Sequence, residues 1–115
     1  MGLQPSYREI AIVKRLNWIK MGLYKVKNLR EGSRPGNWIK FWKDALELDD
    51  DVIVKCHYYG CSEKATDGAH VIMAGSNTSD KWYIVPLCHE HNCKFGEEFY
   101  VTGPLVPVTG GSILL

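Results

Sequence analysis

The chain has 115 residues and a mass of 13.1 kDa, which suits one domain and is too short for two independent cores. Hydrophobic residues make up 45% of the sequence and charged residues 23%, values typical of a globular protein that argue against disorder and collagen-like structure. No window approaches the roughly 18 consecutive apolar residues of a membrane-spanning helix, and charged residues interrupt the N-terminal stretch where a signal peptide would be apolar. We therefore expect a cytoplasmic protein with no membrane association.

The net charge of +1 conceals a division of the chain into a basic part and an acidic part. Residues 1–48 contain ten Lys or Arg against four Asp or Glu, whereas residues 49–115 contain four Lys against nine acids. We therefore expect a basic, aromatic N-terminal segment over 1–48 that packs on an acidic module over 49–115. Because basic groups attract phosphate, nucleic acid is the expected partner, and a protein partner is the alternative.

The basic segment is predicted to contain two helices and a strand. Apolar residues recur at a helical period over 7–21, which predicts an amphipathic helix. Apolar and basic residues alternate over 23–27, which predicts a short, half-exposed strand. Residues 31–36 are typical of a loop, and Asn37 is a suitable N-cap for a second helix over 38–46.

The acidic module is predicted to consist of short strands, turns and one short helix. Runs of β-branched and aromatic residues predict strands over 52–54, 69–73, 82–85, 99–101 and 105–106. Pro86 is expected to end the third of these, and a short helix is expected to begin after Leu87 and stop by Gly96. The last two strands are predicted to pair as a closing hairpin, followed by a loose tail at residues 110–111.

All four cysteines lie in the acidic module, at Cys56, Cys61, Cys88 and Cys93. Disulfides are disfavoured in the cytoplasm, so a thiolate zinc site is the better interpretation of paired cysteines there, although a free Cys is often a small buried hydrophobe. Cys56 and Cys61 flank a turn with a glycine, and Cys88 begins a Cys-x2-His pair with His91 at the expected start of a helix. The sequence therefore predicts a structural zinc ion with four tetrahedral ligands.

The fourth zinc ligand has two candidates. His91 lies three positions after Cys88, which places both groups on one side of a helical turn. Cys93 lies five positions after Cys88, a poor match to the helical period of about 3.6 residues. We therefore prefer His91 as the fourth ligand and keep Cys93 as the alternative.

The motifs of the acidic module follow one another in a recognisable order. Cys-x4-Cys is followed by Ala69-His70-Val71 and then, over 85–92, by Val-Pro-Leu-Cys-x2-His-Asn. Over about residues 52–94 this order resembles the HNH endonucleases, also called the His-Me finger or ββα-metal family, whose zinc-bearing members have a treble-clef fold. The resemblance implies an α+β fold in which a small, zinc-stapled, HNH-like module follows the basic helical segment.

The same resemblance implies a metal-dependent endonuclease that acts on nucleic acid. It gives His70 the role of general base, for which the near-neutral pKa of histidine is suited. It places Asn92 where a helix residue helps to hold Mg²⁺ or Mn²⁺, since an amide oxygen suits these hard cations. The alternatives are a hydrogen-bonded core residue for His70 and a polar neighbour of the zinc ligands for Asn92.

Two residues favour a second interpretation of the module. Ala69 has no ligand atom where the family usually has Asp or His, and Tyr83 stands where the family pattern has Asn. The alternative function is therefore a catalytically degenerate, zinc-stabilised module that binds nucleic acid or a protein partner without chemistry.

Four basic residues precede two large aromatic rings in the N-terminal segment. These candidate nucleic-acid contacts are Lys25, Lys27, Arg30 and Arg34. Basic groups beside exposed rings can contact phosphates while the rings stack on unpaired bases. The spacing of Trp38 and Trp42, however, fits rings packed in a core better than rings that face a ligand.

Overall fold

The structure is a computed structural model that describes residues 22–30, 37–76, 81–108 and 110–115. The helix predicted over 7–21, the loop predicted over 31–36 and Arg34 lie outside these ranges. The described elements are β1 Leu23–Asn28, α1 Trp38–Ala45, β2 Asp67–Met73, β3 Tyr83–Leu87, α2 His89–Asn92, β4 Glu98–Thr102 and β5 Val106–Pro107. This content confirms the α+β class. No helix in the described ranges is both long and apolar enough to cross a bilayer.

The strands form one antiparallel sheet in the order β4-β1-β2-β3-β5. Val26 of β1 pairs with Phe99 on one side and with Met73 on the other. Val26 is fully buried whereas Lys25 and Lys27 are exposed, which confirms the half-exposed strand predicted over 23–27. The strand from the basic segment thus lies between β2 and β4 of the acidic module, so the described parts of both ranges share one sheet.

The sheet separates two hydrophobic clusters. Ile84 and Val85 are consecutive in β3 and point to opposite faces. Val85 belongs to the larger cluster, which also contains Cys56 and Cys88. Ile84 belongs to the smaller cluster, which packs against Trp42 of α1. The cysteine-bearing segments and helix α1 therefore lie on opposite sides of the sheet.

Helix α1 begins as the sequence predicts and rests directly on β2. The side chain of Asn37 accepts a hydrogen bond from the Lys40 backbone N–H at 3.1 Å, which caps the first turn. A Cβ added at Gly68 would lie 2.4 Å from the carbonyl carbon of Trp38, so only glycine permits this approach. Trp42 is 3% exposed and its Nε1–H donates to the Pro104 carbonyl at 2.9 Å, which confirms the core position predicted for this ring.

The predicted closing hairpin is wrong. Strands β4 and β5 lie at opposite edges of the sheet, where β4 pairs with β1 and β5 pairs with β3. Residues 110–111 are exposed bends, and beyond them Leu114 and Leu105 exchange backbone hydrogen bonds of 2.9 and 2.7 Å. Strands β4 and β5 each pair with a strand that is distant in sequence. The sequence of the turn between them does not predict these partners.

Two strand predictions in the acidic module also need correction. Residues 52–54 form no strand: the Val54 carbonyl accepts one hydrogen bond, from Ala65, and Ile53 is 74% exposed. Strand β3 does not stop at Pro86 but continues to Leu87. The Pro86 carbonyl accepts from the His57 N–H at 2.9 Å, on the side of β3 away from β2, so the missing proline N–H interrupts no pairing with β2.

Candidate metal centre and adjoining pocket

Three cysteines and one histidine come together beside the end of β3. The ligand atoms of Cys56, Cys61, Cys88 and His91 all lie within 4.8 Å of one another. His91 Nδ1 lies 3.7 Å from Cys56 Sγ and 3.2 Å from Cys88 Sγ. A tetrahedral zinc ion with Zn–S bonds of about 2.3 Å separates its sulfur ligands by about 3.8 Å. The cluster is therefore compatible with a zinc site in both its donor atoms and its spacing.

Two segments of backbone supply the four ligand atoms. Cys56 and Cys61 belong to a loop in which the Cys61 N–H donates to the Tyr58 carbonyl at 2.9 Å. Gly60, at a φ of +86°, provides the left-handed conformation that closes this turn. Cys88 caps α2, which carries His91 in its single turn. The ring of Tyr58 stacks on the imidazole of His91 with centroids 3.7 Å apart, which fixes the orientation of that ligand.

Burial holds the thiol of Cys56 in its neutral form when no cation is beside it. Cys56 is 4% exposed, and burial raises the pKa of its thiol to about 12. The thiolate that ligates a metal therefore requires a positive charge beside it, which a divalent cation supplies.

Cys93 lies outside the cluster. It is exposed, and its Sγ lies 3.5 Å from Nε2 of His89. Helix α2 ends at Asn92, so Cys93 follows the turn that carries Cys88 and His91 instead of sharing it. The structure thus places His91, and not the alternative Cys93, with the other three cysteines.

A pocket of about 420 Å³ lies beside α2. Its lining combines residues of β2, of α2 and of the segments that follow β1 and α2: Leu29, Arg30, Asp67, Gly68, His70, His89, Asn92 and Phe95. The two residues predicted to be catalytic, His70 and Asn92, therefore line one pocket.

Asp67 organises the polar side of the pocket and was missed by the sequence analysis. Its Oδ2 lies 2.9 Å from His89 Nδ1 and accepts from Asn92 Nδ2 at 3.0 Å, and its Oδ1 accepts from Thr66 at 2.9 Å. Partial burial acts to raise the pKa of Asp67, but the hydrogen bonds from His89, Asn92 and Thr66 outweigh it and lower the pKa. Asp67 is therefore a carboxylate at neutral pH. The signal in the sequence was an acid at the start of the strand that carries His70.

His70 lies at the inner end of the pocket. It is 5% exposed, and its ring packs edge-to-face against Trp38 and Trp82 with centroids 4.6 and 6.1 Å away. Its neighbour Ala69 is 1% exposed and belongs to the larger core cluster on the opposite face of the sheet. The position directly before His70 is thus part of the core, and the acid of this pocket comes from Asp67.

Asn92 is held at both its side chain and its backbone. Its Nδ2 donates to Asp67, while its backbone carbonyl accepts from Asn28 Nδ2 at 2.8 Å. Asn28 is fully buried, and its own backbone carbonyl accepts from Gly96 at 2.7 Å. Asn28, which the sequence analysis did not single out, therefore ties β1 to α2 and to the turn after it.

The predicted nucleic-acid contacts are separated by the fold. Lys25 lies 3.9 Å from Glu98 and faces the ring of Tyr100 at 6.0 Å, away from the pocket lining. Lys27 is exposed on the same face of β1. Arg30 lines the pocket, and its guanidinium lies 5.5 Å from the centroid of the Phe95 ring.

Comparison with known proteins yields no relative: no protein-family model, curated protein or solved structure matches the chain. The HNH resemblance therefore rests on the sequence motifs alone.

Proposed function

We propose that this chain is an HNH-like, treble-clef module, stapled by zinc, that hydrolyses phosphodiester bonds in nucleic acid with the help of Mg²⁺ or Mn²⁺. The observation that carries the proposal is one pocket in which His70, the carboxylate of Asp67 and the amide of Asn92 adjoin a Cys3His cluster. The order along the chain supports it: a two-cysteine loop, then the antiparallel pair β2 and β3, then a short helix carrying the fourth ligand.

The zinc ion has a structural role in this proposal. Four protein ligands fill a tetrahedral coordination sphere and leave no open position for water or substrate. Cys56 and Cys61 of the loop and Cys88 and His91 at α2 would hold the ion, which would join the two segments and keep Asn92 next to Asp67. Catalysis is therefore assigned to the pocket and not to the zinc centre.

In the pocket, His70 accepts a proton from the water that attacks the phosphorus, the ester P–O bond to the leaving oxygen breaks, and that oxygen takes up a proton from solvent. Asp67 and Asn92 would provide hard oxygen ligands for Mg²⁺ or Mn²⁺, so that Asp67 would supply the acidic group that Ala69 lacks. A cation held there would stabilise the negative charge that develops on the phosphate. Arg30 donates hydrogen bonds to the phosphate from the rim and orients it.

One observation favours a second function. His70 is 5% exposed and packs against Trp38 and Trp82, as a histidine of a hydrophobic core does. A His70 that serves only packing would leave a degenerate module that binds nucleic acid or a protein without cleaving a bond. Both functions retain the zinc centre and differ in whether His70 moves a proton.

The two functions are separated by a cleavage assay on plasmid and single-stranded substrates with added Mg²⁺ or Mn²⁺. If His70 is the general base, His70→Gln lowers the rate by about 100- to 10,000-fold, the usual contribution of such a group. Asp67→Asn is expected to lower the rate and to raise the Mg²⁺ concentration needed for half of the maximal rate. Cys93→Ser, a change at an exposed position outside the metal cluster, is the matched control and keeps the natural rate.

Thermal unfolding of each variant verifies that the comparison is made between folded proteins. Cleavage that survives His70→Gln in a folded protein would remove His70 from the mechanism. A natural protein that binds nucleic acid in a salt-sensitive manner but cleaves nothing would establish the second function.

A further inference from the structure

We infer that the pocket binds one unpaired nucleotide, so that the substrate is single-stranded nucleic acid and not an intact duplex. The inference rests on the proposed function and adds the substrate class. It is based on two neighbouring groups that line the pocket together with the candidate catalytic residues: an exposed aromatic ring and a guanidinium group.

Phe95 is the aromatic group at this rim. It lines the pocket and is 40% exposed, so one part of the ring is open to a ligand. The turn that presents it is fixed, because the next residue, Gly96, has a φ of +78° and donates its N–H to the carbonyl of the buried Asn28 at 2.7 Å. The chain therefore holds a flat apolar surface in a constant position beside a polar pocket.

Arg30 extends this flat surface. Its guanidinium lies 5.5 Å from the centroid of the Phe95 ring and also lines the pocket. Guanidinium groups and phenyl rings both stack on nucleobases, and the guanidinium can bond a phosphate at the same time. The Phe95 ring can thus stack on the face of any base, and the Arg30 guanidinium can bond a phosphate of the nucleic-acid backbone.

The size of the pocket suits a single nucleotide better than a stacked duplex. Its volume of about 420 Å³ is at the small end of the range for ligand pockets, about 300–1,000 Å³, and suits one nucleotide unit. Bases inside a duplex are stacked on both faces and cannot enter a concave site unless they are extruded. A single strand presents its bases without that cost.

The charges near the pocket are also unsuited to duplex binding. Proteins grip duplex DNA with several Lys or Arg side chains that each neutralise a phosphate. Among the described residues that line this pocket, Arg30 is the one Lys or Arg, and Asp67 carries the opposite charge. Lys25 lies 3.9 Å from Glu98 and outside the pocket lining. Within the pocket, stacking therefore supplies more of the affinity than phosphate contacts do.

The test measures the binding of a short labelled single strand and of the matching duplex to the zinc-loaded chain, without added Mg²⁺ or Mn²⁺ so that no strand is cut. We expect the single strand, as DNA or RNA, to bind more tightly. Because stacking of one base is lost, Phe95→Ala is expected to weaken single-strand binding by about 5- to 150-fold, and Phe95→Tyr should restore it. A fluorescent base analogue in the strand should be quenched on binding to the natural chain and not on binding to Phe95→Ala.

Tyr100→Ala is the matched control. Tyr100 is 48% exposed and has a cation, Lys25, 6.0 Å from its ring, but it lies on β4 outside the pocket lining. Its loss should leave single-strand binding unchanged. The logarithm of affinity should fall with the logarithm of salt concentration at a slope near −0.7 to −1.4, as expected for one or two phosphate contacts to a single strand.

Equal or tighter binding of the duplex, or natural affinity in Phe95→Ala, would overturn the inference. Duplex cleavage that depends on His70 but not on Phe95 would do the same and leave the proposed function standing. A natural chain that neither binds nor cuts either form would overturn the inference and the proposed function together.

Discussion

Replacing Cys88 by serine is expected to remove the metal and unfold the described part of the chain at temperatures at which the natural protein is folded. Cys88 is 7% exposed, and its Sγ lies 3.2 Å from His91 Nδ1. It stands between β3, all of whose residues are buried, and α2. Serine keeps the shape but is a far weaker zinc ligand than a thiolate, so the substitution tests coordination more than packing.

The expected loss of stability is large compared with what a domain of this size has in total. Structural zinc contributes about 10–16 kcal/mol in small zinc modules, and a whole domain is stable by only about 5–15 kcal/mol. Losing even a third of the zinc contribution removes about 3–5 kcal/mol. At about 4–8 °C per kcal/mol in a small domain, the unfolding midpoint should fall by at least about 12 °C.

The measurement pairs thermal unfolding, followed by circular dichroism, with elemental analysis of the purified protein. We expect close to one zinc per natural chain and less than one in Cys88→Ser. Cys93→Ser supplies the control, because this exposed thiol lies outside the cluster and its loss should change stability by less than about 0.5 kcal/mol. Equal midpoints and equal zinc content in Cys88→Ser and Cys93→Ser would refute the assignment of the metal centre.

Three further predictions follow from the fold. Gly68→Ala should destabilise the chain by about 1–3 kcal/mol, because the new Cβ would meet backbone atoms of α1 at 2.4 and 2.6 Å. Denaturant unfolding measures this loss. An unchanged midpoint would mean that α1 does not rest on β2. Trp42→Phe should lower the free energy of unfolding more than Trp38→Phe does in the same assay. Trp42 Nε1 donates to the Pro104 carbonyl, whereas Trp38 Nε1 has no acceptor among the described residues. The reverse order would contradict this packing. A strong chelator should abolish the cooperative thermal transition and added zinc should restore it, whereas a transition indifferent to the chelator would argue for a metal-free fold.

The parts of this protein that sequence reasoning predicted are those encoded within a few residues. The alternation over 23–27 and the cap at Asn37 are local patterns, and β1 and α1 form where those patterns place them. The grouping of Cys88 with His91 likewise follows from their positions in one turn. In each case the determining contacts are made within the element itself.

The parts that were predicted wrongly or missed depend on distant partners. The strands predicted as a hairpin do not pair with each other: β4 pairs with β1, and β5 pairs with β3. Asp67 joins the pocket through His89 and Asn92, more than twenty positions later in the chain. Pro86 is tolerated because β5 does not extend that far along β3. None of these long-range contacts produces a periodic pattern in the sequence.

The cysteine loop also covers the outer edge of β4. Tyr59 N–H donates to the Tyr100 carbonyl, and Thr102 N–H donates to the His57 carbonyl, each at 2.9 Å. Uncovered edge strands invite pairing with a second chain, and this one carries a half-exposed tyrosine. Loss of the metal would unfold the chain and leave the residues of β4 without the loop that covers them, so chelated protein should self-associate into β-rich aggregates and remain dispersed when zinc is retained.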